Sequence, residues 1–231
     1  MQDYKGVYRE KIRFFGSLKR EMSLKVKIRF ELFNKVRQTG KNNTLRIETE
    51  GVKYNDFHIF GDYNIICIGK NSIVRNVRFE IYGSHNSVVI GDNAVLKNAV
   101  IHLGDNENSL VIGDAADIGD GFRVSVLESG KVIIGNDCMF SLNTSIMNSD
   151  AHSIVDSSTN VRMNKAEDVI IGNHVWFGRN VTVLKGVEIE NNSIIGNSSL
   201  LTRGIYKGNS IYGGSPAHLL RGGVKWLHER I

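Results

Sequence analysis

The sequence predicts an all-β fold, a parallel β-solenoid with short helical segments before and after it. Three observations carry that prediction. A six-residue repeat starts at Ile171, a 22-residue repeat precedes it, and the 231 residues hold 24 glycines against one proline, Pro216. Glycine supplies the tight turns that a coiling chain needs. Repeats of this length mark stacked units that bury a shared core.

Residues 1–41 hold 12 Lys/Arg and 4 Asp/Glu, a local net charge of +8 within a total of +5. The solenoid repeat is absent before residue 40. There SLKREMSLKVKIRFELFNKVRQTG sets Leu24, Ile28, Leu32 and Val36 at i, i+4 spacing, with Gly40 as a stop. Residues 1–39 therefore read as a basic, largely helical segment. A solvated helical face is the plain account of it. A peripheral contact with anionic lipid or an acidic polymer is the functional one, and no nucleic-acid partner is expected.

The solenoid is expected over residues 40–212. The pair Ile-Gly recurs at Ile68, Ile90, Ile112 and Ile134, each 22 residues after the last, and GKNNTLRIETEGVKYNDFHIFG at 40–61 is a weaker copy. From Ile171 the units shorten to IGNHVW, FGRNVT, VLKGVE, IENNSI, IGNSSL and LTRGIY, with KGNSIY as a seventh that has Lys207 in its first position. Neither a helical period nor simple alternation gives this pattern. Each hexapeptide is one short extended side with its aliphatic first residue inward, and Gly or Asn turns the corner at positive φ. Three sides make one 18-residue coil, and the longer upstream coils have longer corners. Cys138 falls on an inward small position and reads as core.

One segment breaks the repeat. Residues 147–168 have no hexapeptide register and are mostly polar, the pattern of a loop extruded from one corner, where function tends to sit. The loop carries Asp150 and His152. Histidine acts near neutral pH as a base towards a hydroxyl or amine. Asp150, two residues earlier, would share a side of an extended segment and orient the ring, a task that a backbone carbonyl would serve as well. The other six histidines read as structural or surface groups, and no metal site is expected because His152 has no evident third ligand. Residues 213–231 leave the solenoid at Gly213–Pro216 and form a cap or tail, a short helix or an extended piece.

Composition narrows the setting. Hydrophobic content of 41% and charged content of 23% are ordinary for a globular protein. No apolar run matches a membrane span, and MQDYKGVYREKIRFFG lacks the apolar stretch of a secretory signal. Cys67 and Cys138 are too few for a disulfide framework. A cytoplasmic location is expected, with the inner face of the membrane open to the basic segment.

The hexapeptide array, the extruded loop with NSDAHSI, the later IGNHVWFG and the terminal GGSPAHLLRGG together resemble the hexapeptide-repeat acetyltransferases. The likeness points to bacterial O-acetyltransferases of capsular, O-antigen or sialic-acid glycans and covers roughly residues 60–225. It implies a left-handed winding, against the usual right-handed crossover. It also implies acetyl-CoA as cosubstrate and a homotrimer with sites between subunits. Under it His152 is the general base, and Trp176 lines the acetyl end of the site. The backbone N–H near Gly178 is a candidate oxyanion donor. Arg179, Asn197, Thr202 and Arg203 would line the pantetheine channel along one corner. Arg221, with Lys225 beside it, would pair with the CoA phosphates. Acetylation of an amine on a nucleotide-linked amino sugar is the alternative enzyme, and a non-catalytic solenoid is the alternative class. Carbonic-anhydrase chemistry would need more metal-spaced histidines, and a nucleotidyltransferase would need a Gly-rich domain that residues 1–39 are too short to supply.

Overall fold

A computed structural model of the chain describes residues 30–231. They form a parallel β-solenoid of about eight coils with almost no helix. Each coil lays one strand on each of three sheets. Sheet A starts with Lys35–Thr39, sheet B with Thr44–Ile47 and sheet C with Val52–Lys53. Sheets A and B hold eight strands each, and sheet C holds nine because a last strand, Ala217–Gly222, returns antiparallel onto Ser210–Gly214.

The periods fix the stacking. Asp56 pairs with Arg78 and Ile68 with Ile90, each one long repeat on, while Ile171 pairs with Ile189, three hexapeptides on. The inward column of the hexapeptides is buried throughout: Ile171, Phe177, Val183, Ile189, Ile195 and Leu201 are each at most 1% exposed. Aromatic rings stack within the same core, Phe57 on Phe79 at 4.5 Å in the long coils and Phe140 on Phe177 at 4.3 Å where the hexapeptides begin. Cys138 lies in the same core, where burial pushes its thiol up to about 12 and leaves it inert.

Corners are where side chains replace strand pairing. Asparagine holds positive φ at many of them, including Asn76, Asn98, Asn143, Asn180 and Asn192, a conformation its short polar side chain tolerates. Between sheets A and B an internal ladder forms. Asn86 N–H donates to Asn64 Oδ1 at 3.0 Å, and Asn108 N–H donates to Asn86 Oδ1 at 2.9 Å. This satisfies backbone groups that a tight corner would otherwise bury unpaired.

Three expectations need correction. Residues 30–33 form one helical turn, but Lys35–Thr39 is a strand paired with Asp56–Phe60, so Val36 lies on the solenoid and not on a helix. The pairing of a ready sheet edge outweighs the weak i, i+4 pattern there. Leu24 and Ile28 lie outside the described residues. The C-terminal segment is the strand Ala217–Gly222 followed by an irregular tail, without a helix. Finally, the hexapeptide register slips after Leu201. Val187 pairs with Gly204 and Ile189 with Tyr206, a step one short of three hexapeptides, so Tyr206 takes the inward place and Ile205 is 59% exposed. Gly204 at φ +153° makes the shorter corner possible.

Candidate active site

The expected break in the repeat is real and structured. Residues 148–168 leave sheet A after Ser145–Met147 and rejoin sheet B at Val169–Ile171, so they project from the edge between those sheets. They fold as a small hairpin. Val155 bridges Arg162 antiparallel, and Met163 N–H donates to Ile154 carbonyl at 2.8 Å. Asp156 organises the tip by accepting from Ser158 and Thr159, backbone and hydroxyl, at 2.6–3.0 Å.

Two carboxylates pin the hairpin to the coils. Glu128, on the preceding coil, takes a two-pronged guanidinium from Arg162 at 2.7 and 2.8 Å and the Ser149 hydroxyl at 2.6 Å. Arg162 first, and Ser149 second, hold the Glu128 carboxyl down at about 2. Asp150 accepts from the Lys185 ammonium and from Asn164 Nδ2, the latter at 2.8 Å, which keeps it below the usual carboxylate range. Asn164 also donates to the His152 carbonyl at 2.8 Å and accepts from Ile154 N–H at 2.7 Å. The backbone carrying His152 is therefore held on both sides.

The His152 ring is exposed, and no described residue gives it a hydrogen bond. Asp150 does not orient it. Ala151 sits at φ +62°, and His152 N–H closes onto the Asp150 carbonyl at 2.7 Å, so the segment is a tight turn rather than the extended stretch that would align the two side chains. Asp150 instead acts on the loop through Lys185 and Asn164. Sequence reasoning missed Glu128, Arg162, Asn164 and Lys185, because none stands out from ordinary surface residues in the repeat.

Trp176 lies on sheet C with 36% of its surface exposed. Its ring is 6.1 Å from Trp226, a tail residue that the sequence did not single out. Trp226 stacks on the His174 ring at 3.9 Å and donates its indole N–H to the His174 carbonyl at 2.9 Å. Asp137 then joins two imidazoles, His174 at 2.7 Å and His228 at 3.0 Å. The tail is thus folded back along the edge between sheets B and C. Asp137, His174 and His228 also bring three donor atoms within 4.8 Å of one another, a set that contains neither His152 nor any other residue of the hairpin.

The other expected site residues separate onto different edges. Arg179 and Asn197 lie between sheets C and A, whereas Thr202 and Arg203 lie between sheets A and B. They do not line one corner of a single chain. A step of three hexapeptides returns to the same edge, and the step from Arg179 to Arg203 is one hexapeptide longer. Arg203 pairs with Glu167 at the foot of the hairpin, 3.1 Å away. Gly178 N–H donates to the Ile195 carbonyl, and Arg179 N–H to Asn197 Oδ1, both at 2.8 Å. Those amides are committed to the solenoid ladder, so neither is free to hold an oxyanion. Gly178 is needed for close stacking, since a Cβ there would run into Asn197 Oδ1. Thr202 bonds the Tyr206 hydroxyl through its backbone, and Arg221 and Lys225 are exposed near the last strand.

Comparison with known proteins places this arrangement. Residues 168–203 match the family described as bacterial transferase hexapeptide (six repeats). A polysialic acid O-acetyltransferase of Neisseria meningitidis is 49% identical over 69 residues, which are 30% of this chain and 32% of that protein. A polysialic acid O-acetyltransferase of Escherichia coli O1:K1 is 33% identical over 109 residues, 47% of this chain and 35% of that protein. These matches span about a third of the length of both curated relatives. Two solved structures extend the likeness. The polySia specific acetyltransferase NeuO superposes with a TM-score of 0.79 at 30% identity, over 85% of this chain and 89% of its own. The polysialic acid O-acetyltransferase OatWY gives 0.76 at 32%, over 84% and 92%.

Proposed function

Because the chain belongs to the hexapeptide-repeat acetyltransferases, with their left-handed β-helix, we propose that it transfers an acetyl group from acetyl-CoA to a hydroxyl of a bacterial cell-surface glycan. The observation that carries this reading is the likeness to two polysialic acid acetyltransferase structures over more than four fifths of each chain. Sialic-acid polymer of a capsule is the acceptor this likeness favours.

The geometry of the hairpin supports the chemistry expected of such an enzyme. His152 is the general base: its neutral imidazole removes the proton of the acceptor hydroxyl as that oxygen attacks the thioester carbonyl. The tetrahedral intermediate then collapses, the C–S bond breaks, and the imidazolium returns the proton to the departing thiolate. An exposed ring on a pinned backbone suits this task, because the ring is open to the acceptor while its position is fixed. Asp150 is a positioning residue that acts through Lys185 and Asn164.

We assign the complete site to a homotrimer, with the hairpin of one subunit set against a neighbour. The hairpin exposes Ile154 at 58%, Val161 at 62% and Met163 at 68%, an apolar surface a single chain leaves bare. Assembly would also face one chain's edge between A and B towards another's edge between C and A. That is how Thr202 and Arg203 of one chain and Arg179 and Asn197 of another would share one CoA channel. Arg221 and Lys225 would receive the phosphates, and Trp176 the acetyl end. The site lies in the cytoplasm, where acetyl-CoA is made, and the basic segment 1–41 would hold the enzyme near membrane-bound glycan. Among the described residues no helix is long and apolar enough to cross a membrane.

The test is incubation of the purified protein with acetyl-CoA and polysialic acid, following free thiol and acetyl-ester by mass spectrometry. Ester formation with matching thiol release is expected. Acetyl-CoA consumed with no ester on any sialylated acceptor would refute the acceptor class, and no CoA binding would refute the enzyme.

A further inference from the structure

The tail meets the coils at a cluster that lies apart from the hairpin, on the edge between sheets B and C. Asp137, His174 and His228 bring a carboxylate and two imidazoles together there. We propose that this cluster is a binding site for a divalent transition-metal ion of the zinc type, which fastens the C-terminal tail to the solenoid. The proposal goes beyond the acetyltransferase reading and does not depend on it.

The shape of the corner brings the ligands together. One residue of each turn from sheet B to sheet C stands at positive φ, and its N–H donates to the preceding coil. Asn93, Ala115, Asp137, His174 and Asn192 follow one another in this place. Asparagine, aspartate and histidine are the side chains that tolerate the conformation best. Asp137 and His174, at φ 55° and 54°, are neighbours in the column, so stacking sets a carboxylate beside an imidazole. His228 arrives from the tail, 91 residues from Asp137. Trp226 guides it there. That residue is 5% exposed, stacks on the His174 ring and donates its indole N–H to the His174 carbonyl.

The atoms that face one another are ligand atoms. His174 Nδ1 is 2.7 Å from Asp137 Oδ2, and His228 Nε2 is 3.0 Å from Asp137 Oδ1. An ion bound at about 2.0–2.2 Å sets adjacent ligands about 3–3.5 Å apart, a separation these partly exposed side chains reach by small rotations. The other nitrogen of His174 is the deciding feature. His174 Nε2 is 3.3 Å from the Trp226 carbonyl, which can only accept, so this nitrogen bears the proton. A neutral ring then turns the lone pair of Nδ1 towards a carboxylate, which is also an acceptor. A cation between them satisfies both. Donation of the outer ring N–H to a backbone carbonyl is also the support that orients metal-bound histidines. Two imidazoles with one carboxylate suit zinc and its neighbours, whereas calcium and magnesium prefer oxygen ligands. A second proton on His174 is the competing cation. It would occupy one contact, whereas three ligand atoms converge here. Trp226 lies 6.1 Å from Trp176, so the ion would close the tail beside that residue.

The experiment titrates the untagged, metal-stripped full chain with zinc chloride. Asp137→Asn, His228→Gln and His85→Gln are titrated beside it, the last being an exposed histidine outside the cluster. Calorimetry should show saturable binding of about one ion per chain with micromolar or tighter affinity. Binding should be at least tenfold weaker in Asp137→Asn and His228→Gln and unchanged in His85→Gln. Limited proteolysis should find the tail after Gly222 protected by zinc and exposed again by EDTA. In the wild type alone, Cu²⁺ should show nitrogen splittings from two imidazoles by electron paramagnetic resonance, a readout independent of any folding defect in the variants. Zinc binding that the folded cluster variants retain, or a copper spectrum without two imidazoles, overturns the proposal. So does tail protection indifferent to zinc and EDTA, the result expected if a proton is the cation.

Discussion

Glu128→Gln tests whether the hairpin is held by its clamp. The substitution keeps the shape and removes the charge that receives Arg162 at 2.7 and 2.8 Å and Ser149 at 2.6 Å. The carboxyl falls from an ordinary 4.5 to about 2, which taken at face value is about 3.4 kcal/mol. The two side chains are 26% and 29% exposed, so solvent screening reduces the contribution to about 1–2 kcal/mol. A carboxylate with a lowered folded-state value stabilises fully above its unfolded value and loses that contribution as pH falls from about 4.5 to about 2. At pH 7 the effect is therefore complete. Hydrogen exchange should accelerate about 5–30-fold in residues 148–168, the exchange counterpart of about 1–2 kcal/mol, and stay unchanged in the coils. In a cycle with Arg162→Met the two losses should not add, because either substitution already breaks the shared contact. Between pH 4.5 and 2 the wild type should lose hairpin protection that the variant already lacks. Unchanged exchange, or losses that simply add in the double variant, would refute the clamp and leave Asn164, Asp150 and Lys185 to hold His152.

Other predictions address the base, the ladder and the tail. His152→Ala should lower kcat by about 10²–10⁴-fold while titration calorimetry shows acetyl-CoA affinity retained, and wild-type turnover would remove the residue from its role. Asn86→Ala leaves the Asn108 N–H and the Tyr82 and Asp105 carbonyls unpaired at a 1%-exposed site. It should cost about 2–4 kcal/mol, read by chemical denaturation, and a loss under about 0.5 kcal/mol would mean that water replaces the ladder. Trp226→Ala removes the stack on His174 and the indole bond to its carbonyl. The tail should become protease-sensitive after Gly222 and KM for acetyl-CoA should rise several-fold; an unchanged cleavage pattern would show that Asp137 and His228 hold the tail without it.

The repeat made the fold legible. Each coil is a local instruction, one aliphatic residue inward and one turn residue at the corner, so period alone specified the solenoid, its core column from Ile171 to Leu201 and the single break that carries His152. It failed where a local rule met a non-local opportunity: Lys35–Thr39 took a sheet edge, and Tyr206 took the inward place through a shortened corner. Sharing of an edge could have been read by counting hexapeptides, which separates Arg179 and Asn197 from Thr202 and Arg203. The partners of the site could not. Lys185 reaches Asp150 from 35 residues away, Arg162 reaches Glu128 across 34, and His228 reaches Asp137 across 91. Such contacts follow from which coil and which edge each residue occupies after stacking. The coil was written in the chain, because its instruction repeats at short range. Who meets whom at the site emerged only on stacking, because those pairs repeat nowhere and are joined when the coils close.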